Sequence, residues 1–422
     1  MVMDTLTCFL LNDNLDTQRL QSKSSHPLSF VDAQQQTAQQ VLNEQRDSNQ
    51  VARTFLLWDQ PDTLVLIDSL YNLPSTRYSL DQPHSLDDVL LEWRGQSSKV
   101  DLPVLTRSIA LSLTLNDLLL DKTHLSLLEQ AIVQCIGTDH RLVVLVNVKQ
   151  FHLTPNWSIT TEQQWHAWQR AVTLLYLQQI QVAYTNQCPL FDMTVLFPDL
   201  LDPCWMTDMA FDQIFTSAQD TALVEVWNKI RDDHALPSWQ PVVLTTIDPP
   251  ESEEISQSSP ETSVTFSRVI VGGTFDHLHA GHKILLTMTA LLGKVSMTVG
   301  VTDDVILQSK KYKELLEPTT VRMGAVKRFC QTIRPDLEYK VVPIFDPFGP
   351  TISEPNLDAL VVSQETLSGG NMVNDERLRR NYHPLVLRVI DVVSEAGSHG
   401  DQSYTDKISS SWIRKYLYDL KQ

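Results

Sequence analysis

The chain has 422 residues, 42% of them apolar, and a formal net charge of −18 at pH 7. That length supports two domains with cores of their own. The acidic excess argues against nucleic acid as a partner, and no run of about 18 apolar residues is present to form a membrane span.

Charge and glycine are both unevenly placed. Residues 266–422 hold 19 Lys+Arg against 18 Asp+Glu, so the whole of the acidic excess belongs to the first 265 residues. Of the 13 glycines, only Gly95 and Gly137 precede residue 272. A glycine-bearing phosphate loop is therefore expected in the C-terminal part alone. The five cysteines, Cys8, Cys135, Cys188, Cys204 and Cys330, form no C-x-x-C pair. Their odd number and scatter point to a reducing compartment, with neither a disulfide framework nor a zinc site. The apolar run Leu6–Leu11 lacks a basic flank, and Asp4, Asp13 and Asp16 precede the first basic residue, Arg19. Neither a secretory signal nor a transit peptide is expected, which suggests the cytoplasm.

In chain order, Thr7–Leu11 reads as a strand and is followed by a Gln-rich stretch through Gln34–Gln36, Gln39 and Gln40. Thr54–Trp58 and Thr63–Ile67 read as strands. Residues 105–135, rich in leucine, read as helical. Arg141–Val148 is a buried-strand pattern, 161–184 a helix capped by Thr160 or Thr161, and Met193–Phe197 a strand. His140 and His166 are isolated and read as structural. Strand, long helix, strand predicts an α/β domain over residues 1–245. Residues 246–265 carry five acids, no base and three prolines, the composition of a linker.

From Arg268 the pattern alternates. Strands are expected at 268–272, 295–301, 339–345, 357–362 and 385–393. Helices are expected at 281–292, 318–332, 372–380 and 408–420. This predicts a Rossmann-like α/β domain over 266–422 with a parallel sheet, whose ligands bind at the carboxyl ends of the strands. The linker and the charge split suggest that residues 262–422 fold and act alone. The sequence shows no internal repeat.

The first of these strands runs into Gly272-Gly273-Thr274-Phe275-Asp276-His277-Leu278-His279-Ala280-Gly281-His282. Two glycines let the backbone approach a ligand, and the helix that follows points free N–H groups at the same space. His279 and His282, three apart, share a helix face. Lys310, Lys311 and Lys313 follow the next strand, where one of them can reach a phosphate. Asp346-Pro347-Phe348-Gly349-Pro350-Thr351 and Val361-Val362-Ser363-Gln364-Glu365-Thr366 follow later strands. Ile408-Ser409-Ser410-Ser411-Trp412-Ile413-Arg414 opens the last helix with three hydroxyls. No metal-ligand cluster is legible.

Together these motifs resemble the phosphopantetheine adenylyltransferases of the archaeal and eukaryotic type, including the adenylyltransferase half of CoA synthase. The resemblance covers residues 268–414, a little over a third of the chain. It implies transfer of the adenylyl group of ATP to 4′-phosphopantetheine, giving dephospho-CoA and pyrophosphate. It implies catalytic roles for His282, His279, Lys310 and Thr274. It places Gly273, Thr274, Phe275, His282, Ser409, Ser410, Ser411 and Arg414 around ATP, Thr274 and Lys310 around the acceptor, and Mg²⁺ on the phosphates. Association with other CoA-pathway enzymes is a further expectation. The bacterial enzymes carry an arginine pair where this chain has Ser363–Thr366, which leaves Arg377 as a stand-in. Two other readings are a cytidylyltransferase acting on a phospho-alcohol and a non-catalytic scaffold. The chain has no G-x-x-x-x-G-K-[ST] loop, its only Gly-Lys pair being Gly293-Lys294. The product is therefore expected to stop at dephospho-CoA.

Overall fold

The computed structural model describes residues 107–149, 157–201, 204–245, 264–390 and 409–421, together with five strands within residues 6–79. Residues Met1–Val104 form one compact unit. Its strands are β1 (Leu6–Leu11), β2 (Thr17–Ser22), β3 (Thr54–Gln60), β4 (Thr63–Asp68) and β5 (Thr76–Ser79). They make an antiparallel sheet in the order β2-β1-β3-β4-β5. The strands expected from the apolar runs lie in β1, β3 and β4. The Gln-rich stretch and residues 246–263 of the linker expected over 246–265 lie outside the described residues.

Residues Leu105–Gln422 form the second unit. It opens with a correction: Arg107–Leu115, expected to be helical, is strand β6. Ile109, Leu111, Leu113 and Leu115 recur with period two, and the small residues Ala110 and Ser112 on the other face are fully buried too. A strand covered on both sides carries no polar face to show the alternation, so its composition resembles that of a buried helix. The helical part of that stretch is α1 (Lys122–Cys135), capped by Asp121. Then come β7 (His140–Val148), α2 (Glu162–Thr185), β8 (Met193–Leu196), β9 (Gln213–Thr216), α3 (Thr221–Asp233) and β10 (Pro241–Val243). Thr161 caps α2 through a reciprocal pair with Gln164. His140 Nε2 donates to Asp212 Oδ2 at 2.8 Å on the sheet margin, and His166 is exposed on α2.

The second sheet of this unit follows the expected alternation closely. It comprises β11 (Phe266–Gly273), α4 (Ala280–Leu292), β12 (Gly293–Thr302), α5 (Thr319–Ile333), β13 (Glu338–Ile344), β14 (Ala359–Ser363), α6 (Leu367–Arg379), β15 (Val386–Ile390) and α7 (Ser410–Asp419). All its strand pairs are parallel, in the order β13-β12-β11-β14-β15. The first sheet, also parallel throughout, runs β10-β9-β6-β7-β8. Numbered within each domain, both orders are 3-2-1-4-5. The topology is thus repeated although the sequence shows no repeat, because strand order is a property of pairing and not of residue identity.

One hydrophobic core runs through both α/β domains, from Leu111, Val144 and Trp168 to Ile284, Leu291 and Val299. A second, smaller cluster of Ile270, Leu360, Val362, Val373 and Leu385 lies under α6. Helix α4 is buried almost all round, from Ile284 through Met288 to Leu292, because the sheet covers one side and α2 packs on the other. Each such Leu or Met side chain contributes about 1.5–3 kcal/mol relative to exposure.

Candidate active site

The site is built where β11 ends. Gly273 passes close over the Phe275 ring, and a Cβ there would lie 3.1 Å from it. Gly272 is exposed, and a Cβ at that position would meet only the Gly300 carbonyl at 3.9 Å. A Cβ at 273 would therefore crowd the Phe275 ring, whereas 272 is open towards whatever occupies the strand end. Phe275 and His277 both take left-handed backbone conformations, with φ of 51° and 46°. Such positions are strained for bulky residues and persist only where their surroundings over-determine them.

Those surroundings are specific. Phe275 is fully buried. The Asp276 carboxylate, also fully buried, accepts the Glu317 N–H at 2.9 Å and an Nη1–H of Arg414. His277 donates its backbone N–H to Glu317 Oε2 at 2.7 Å, and its Nε2 lies 2.8 Å from the Leu315 carbonyl, so Nε2 carries the proton. Asp276, His277 and Glu317 bring one ligand atom each within 4.8 Å of one another. The bonds to Glu317, Arg414 and the Leu315 carbonyl make the trio a clamp on the turn.

His279 caps α4 and His282 follows at its third position. Their rings stack with centroids 3.8 Å apart, and His282 also leans on the Phe275 ring at 5.2 Å. Ser410 Oγ donates to the Asp276 carbonyl at 3.0 Å and lies 3.3 Å from His279 Nε2. A hydroxyl has one proton, so His279 Nε2–H is the donor to Ser410, and His279 Nδ1 is left as a buried lone pair without a partner. Among the described residues, His282 has no hydrogen-bond partner on either nitrogen, and its Nδ1 is buried. Burial pushes the His279 imidazole down to about 3, helped by the nearby His277 and Lys283. Burial, then His279 and Arg322, holds His282 well below its ordinary value of 6.5. Both rings are neutral in the free protein. His282 can offer its N–H to an anion, and an anion would raise the proton affinity of both rings.

Arg322 is the residue that sequence reasoning missed. It is fully buried and donates to the carbonyls of Glu317 (2.8 Å), Thr302 (2.8 Å) and Thr274, to Asp304 Oδ1 at 2.6 Å and to Thr319 Oγ1 at 3.1 Å. One guanidinium thus joins the ends of β11 and β12 to the start of α5. The signal was present: Thr319, Arg322, Val326, Phe329, Cys330 and Ile333 form the buried stripe of α5, and an arginine inside such a stripe needs a full set of partners.

The expected site residues fall into two groups. Gly273, Thr274, Phe275, His279, His282, Ser410 and Arg414 are joined by the contacts above. Arg414 is buried against Asp276 and also donates to the Lys311 carbonyl at 3.1 Å and Ser411 Oγ at 3.3 Å. Ser409 caps α7 by accepting the Trp412 N–H at 3.2 Å. Lys310, Lys311 and Lys313 are exposed on the loop after β12. Arg414 fixes the Lys311 backbone, and Lys313 Nζ lies 3.5 Å from Gln308 Oε1. Arg377 does not stand in for the bacterial arginines. It is fully buried and donates to the carbonyls of His383, Thr351, Glu354 and Pro355. Asp346 accepts the N–H groups of Phe348 and Gly349 at 2.8 Å each. The D-P-F-G-P-T stretch is therefore a side-chain-closed turn.

A glycine turn after the first strand of a parallel sheet, two neutral histidines at the following helix and a hydroxyl-bearing helix start facing them come together at one end of the second sheet. The cytidylyltransferase-like family matches residues 270–416. A phosphopantetheine adenylyltransferase of Pyrobaculum aerophilum is 35% identical over 153 residues, which cover 36% of this chain and 92% of that protein. The chain belongs to the phosphopantetheine adenylyltransferase family. The phosphopantetheine adenylyltransferase of Saccharomyces cerevisiae is 40% identical over 165 residues, 39% of this chain and 52% of that one. An uncharacterised protein of Schizosaccharomyces pombe is 41% identical over 172 residues, 40% and 54% of the two chains. The match thus spans about half the length of these yeast relatives. No helix among the described residues is long and apolar enough to cross a membrane.

Proposed function

We propose that the chain transfers the adenylyl group of ATP, entering as its magnesium salt, to 4′-phosphopantetheine, in the cytoplasm. The observation that carries this reading is the G-G-T-F-D-H-L-H-A-G-H turn, closed by Arg322 and Arg414 and presenting two neutral, stacked imidazoles beside Ser410. The acceptor phosphate is already an anion near neutral pH, so no general base is needed. One of its oxygens attacks the α-phosphorus, the bond from that phosphorus to the β-bridging oxygen breaks, and pyrophosphate leaves with the electron pair. The protein's work is to align two anions and to place donors where charge grows. The free ring nitrogens of His282 make it the donor to the α-phosphoryl oxygens. His279, oriented by Ser410, supports it by stacking. The Thr274 hydroxyl, which has no partner among the described residues, meets the acceptor phosphate. Lys310 or its neighbour Lys311 brings positive charge from the exposed loop. The N–H groups at the start of α7 and the Ser411 hydroxyl face the β- and γ-phosphates.

Within these 422 residues the reaction stops at dephospho-CoA, and association with other CoA-pathway enzymes is part of the same proposal. The three-part division into 1–245, 246–265 and 266–422 is retained as a reading of the sequence, to be tested by limited proteolysis. The decisive assay is pyrophosphate release with ATP or CTP against a panel of phosphorylated acceptors. Turnover with ATP and phosphopantetheine alone supports the proposal. Turnover with CTP and a phospho-alcohol supports the cytidylyltransferase reading, and none at all supports a scaffold. Formation of CoA itself, in proportion to the protein added, would end the single-reaction reading.

A further inference from the structure

The residue after His282 faces away from the site and into the other α/β domain. Lys283 is buried in the first turn of α4, and its Nζ donates to Asp192 Oδ1 at 2.5 Å and to the Met193 carbonyl at 2.8 Å. A buried ammonium at a helix N-terminus is doubly unfavourable, because it opposes the helix dipole and loses its hydration. Its presence there needs Asp192. Asp192 is in turn held in the first sheet, where its carbonyl accepts the Leu142 N–H at 3.1 Å. Lys283 also keeps the Asp192 carboxyl below its ordinary range.

The same part of the first domain reaches the other half of the site. Tyr184, near the end of α2, packs its ring 5.0 Å from that of Trp412, which follows Ser410 and Ser411 on α7. Between these two side-chain contacts the backbones are also joined. The Ile159 N–H donates to the Leu291 carbonyl at 2.8 Å, and the Val264 N–H to the Thr160 carbonyl at 2.8 Å. Residues 184–192 thus support the helix bearing His279 and His282 from one side and the helix bearing the serines from another. Among the described residues, the matching helix start of the first domain offers no free imidazole. The third residue of its first helix is also a histidine, His124, but its Nδ1 accepts the Asp121 N–H and its Nε2 lies 3.2 Å from the Thr114 carbonyl.

We propose that the first α/β domain is a positioning partner of the nucleotidyltransferase site, and that Asp192, through Lys283, sets the placement of His282. This rests on the reaction proposed above and adds to it a residue from outside the family match. A displacement of about 1 Å at a reacting centre is enough to lose orders of magnitude in rate, so a lost anchor reads out as turnover.

The test uses the full chain. Asp192→Asn keeps the shape and removes the charge. Lys283→Met removes the buried ammonium and fills its slot. Asp192→Glu restores the charge. Pyrophosphate release per folded molecule, thermal melting and the histidine ring NMR signals are measured for each. Asp192→Asn and Lys283→Met are expected to lower kcat about ten-fold while KM for ATP changes by less than about two-fold. The ring signals of His279 and His282 are expected to move in both, and Asp192→Glu to recover most of the turnover. If Asp192→Asn fails to fold, the double variant with Lys283→Met, which has no buried cation, is used in its place and is expected to show the same loss. Parent-like kcat and unmoved ring signals in a folded variant would overturn the proposal. So would a loss of turnover with unmoved ring signals and no recovery in Asp192→Glu. Should the parent itself release no pyrophosphate, the assigned reaction fails, and the ring signals alone decide the positioning role.

Discussion

His279 and His282 are kept neutral by burial, and the price of that is sensitivity to acid. An unfolded histidine takes up its proton near 6.5, whereas the folded His279 does so only at about 3. Between those values the unfolded chain binds the extra proton, so stability is fully present above the unfolded value and falls as pH falls. Each such ring contributes a slope of about 1.4 kcal/mol per pH unit. Thermal melts of the free protein should drop between about pH 7 and about pH 5, and His279→Asn and His282→Asn should each flatten the drop. Equal slopes in parent and variants would mean that the rings are hydrated and not desolvated. His282→Ala should lower kcat by about 10²–10³, the scale for losing one transition-state donor, with the fold intact by circular dichroism. Near-normal turnover would remove His282 from the mechanism.

At the scale of elements, the turn between β11 and α4 separates two demands on glycine. A Cβ at Gly272 has room within the protein, so Gly272→Ala should leave Tm within a degree or two while raising KM for the nucleotide or the acceptor. A Cβ at Gly273 crowds the Phe275 ring, so a substitution there disturbs the left-handed turn itself and is expected to lower Tm. Parent-like kinetics in a stable Gly272→Ala variant would show that no ligand approaches that strand end. The contrast depends on Arg322 and Arg414, which hold the strand ends and the turn from below. Removing Arg414 leaves the fully buried Asp276 carboxylate without its cation, an effect of the order of 3–5 kcal/mol, whereas removing Arg322 leaves the Thr274, Thr302 and Glu317 carbonyls without their donor.

For the whole molecule, the relation between the two α/β domains departs from what composition suggests. An acidic linker separates them in sequence, and the P. aerophilum relative is covered almost completely by the C-terminal part alone. Yet here α4 is buried by α2 on one side and its own sheet on the other, within one continuous core. The expectation that residues 262–422 act alone is revised accordingly. Expressed without residues 105–245, they should expose the apolar face of α4 and self-associate, as light scattering would show, and co-expression of 105–245 should restore a soluble species. A monomeric, soluble fragment with parent-like turnover would show that the shared core is dispensable.

What the sequence by itself determined is local. The glycine-histidine turn, the alternation of strand and helix from β11 to α7 and a cap at Thr160 or Thr161 all depend on residues within a few positions of one another, and local patterns carry that information. Strand β6 escaped because a segment buried on both faces has no polar phase from which to tell period two from period 3.6. The tertiary structure decided where each guanidinium and ammonium is spent. Arg414 and Asp276 are 138 residues apart, and Lys283 and Asp192 are 91. An arginine near a phosphate motif reads as a phosphate ligand in sequence, but the partner of a buried cation is set by which chain segments the fold stacks together. For that reason Arg414 could be placed at the site but not paired, Arg377 could be offered as a stand-in without its carbonyl partners being legible, and Arg322 and Lys283 were not seen at all.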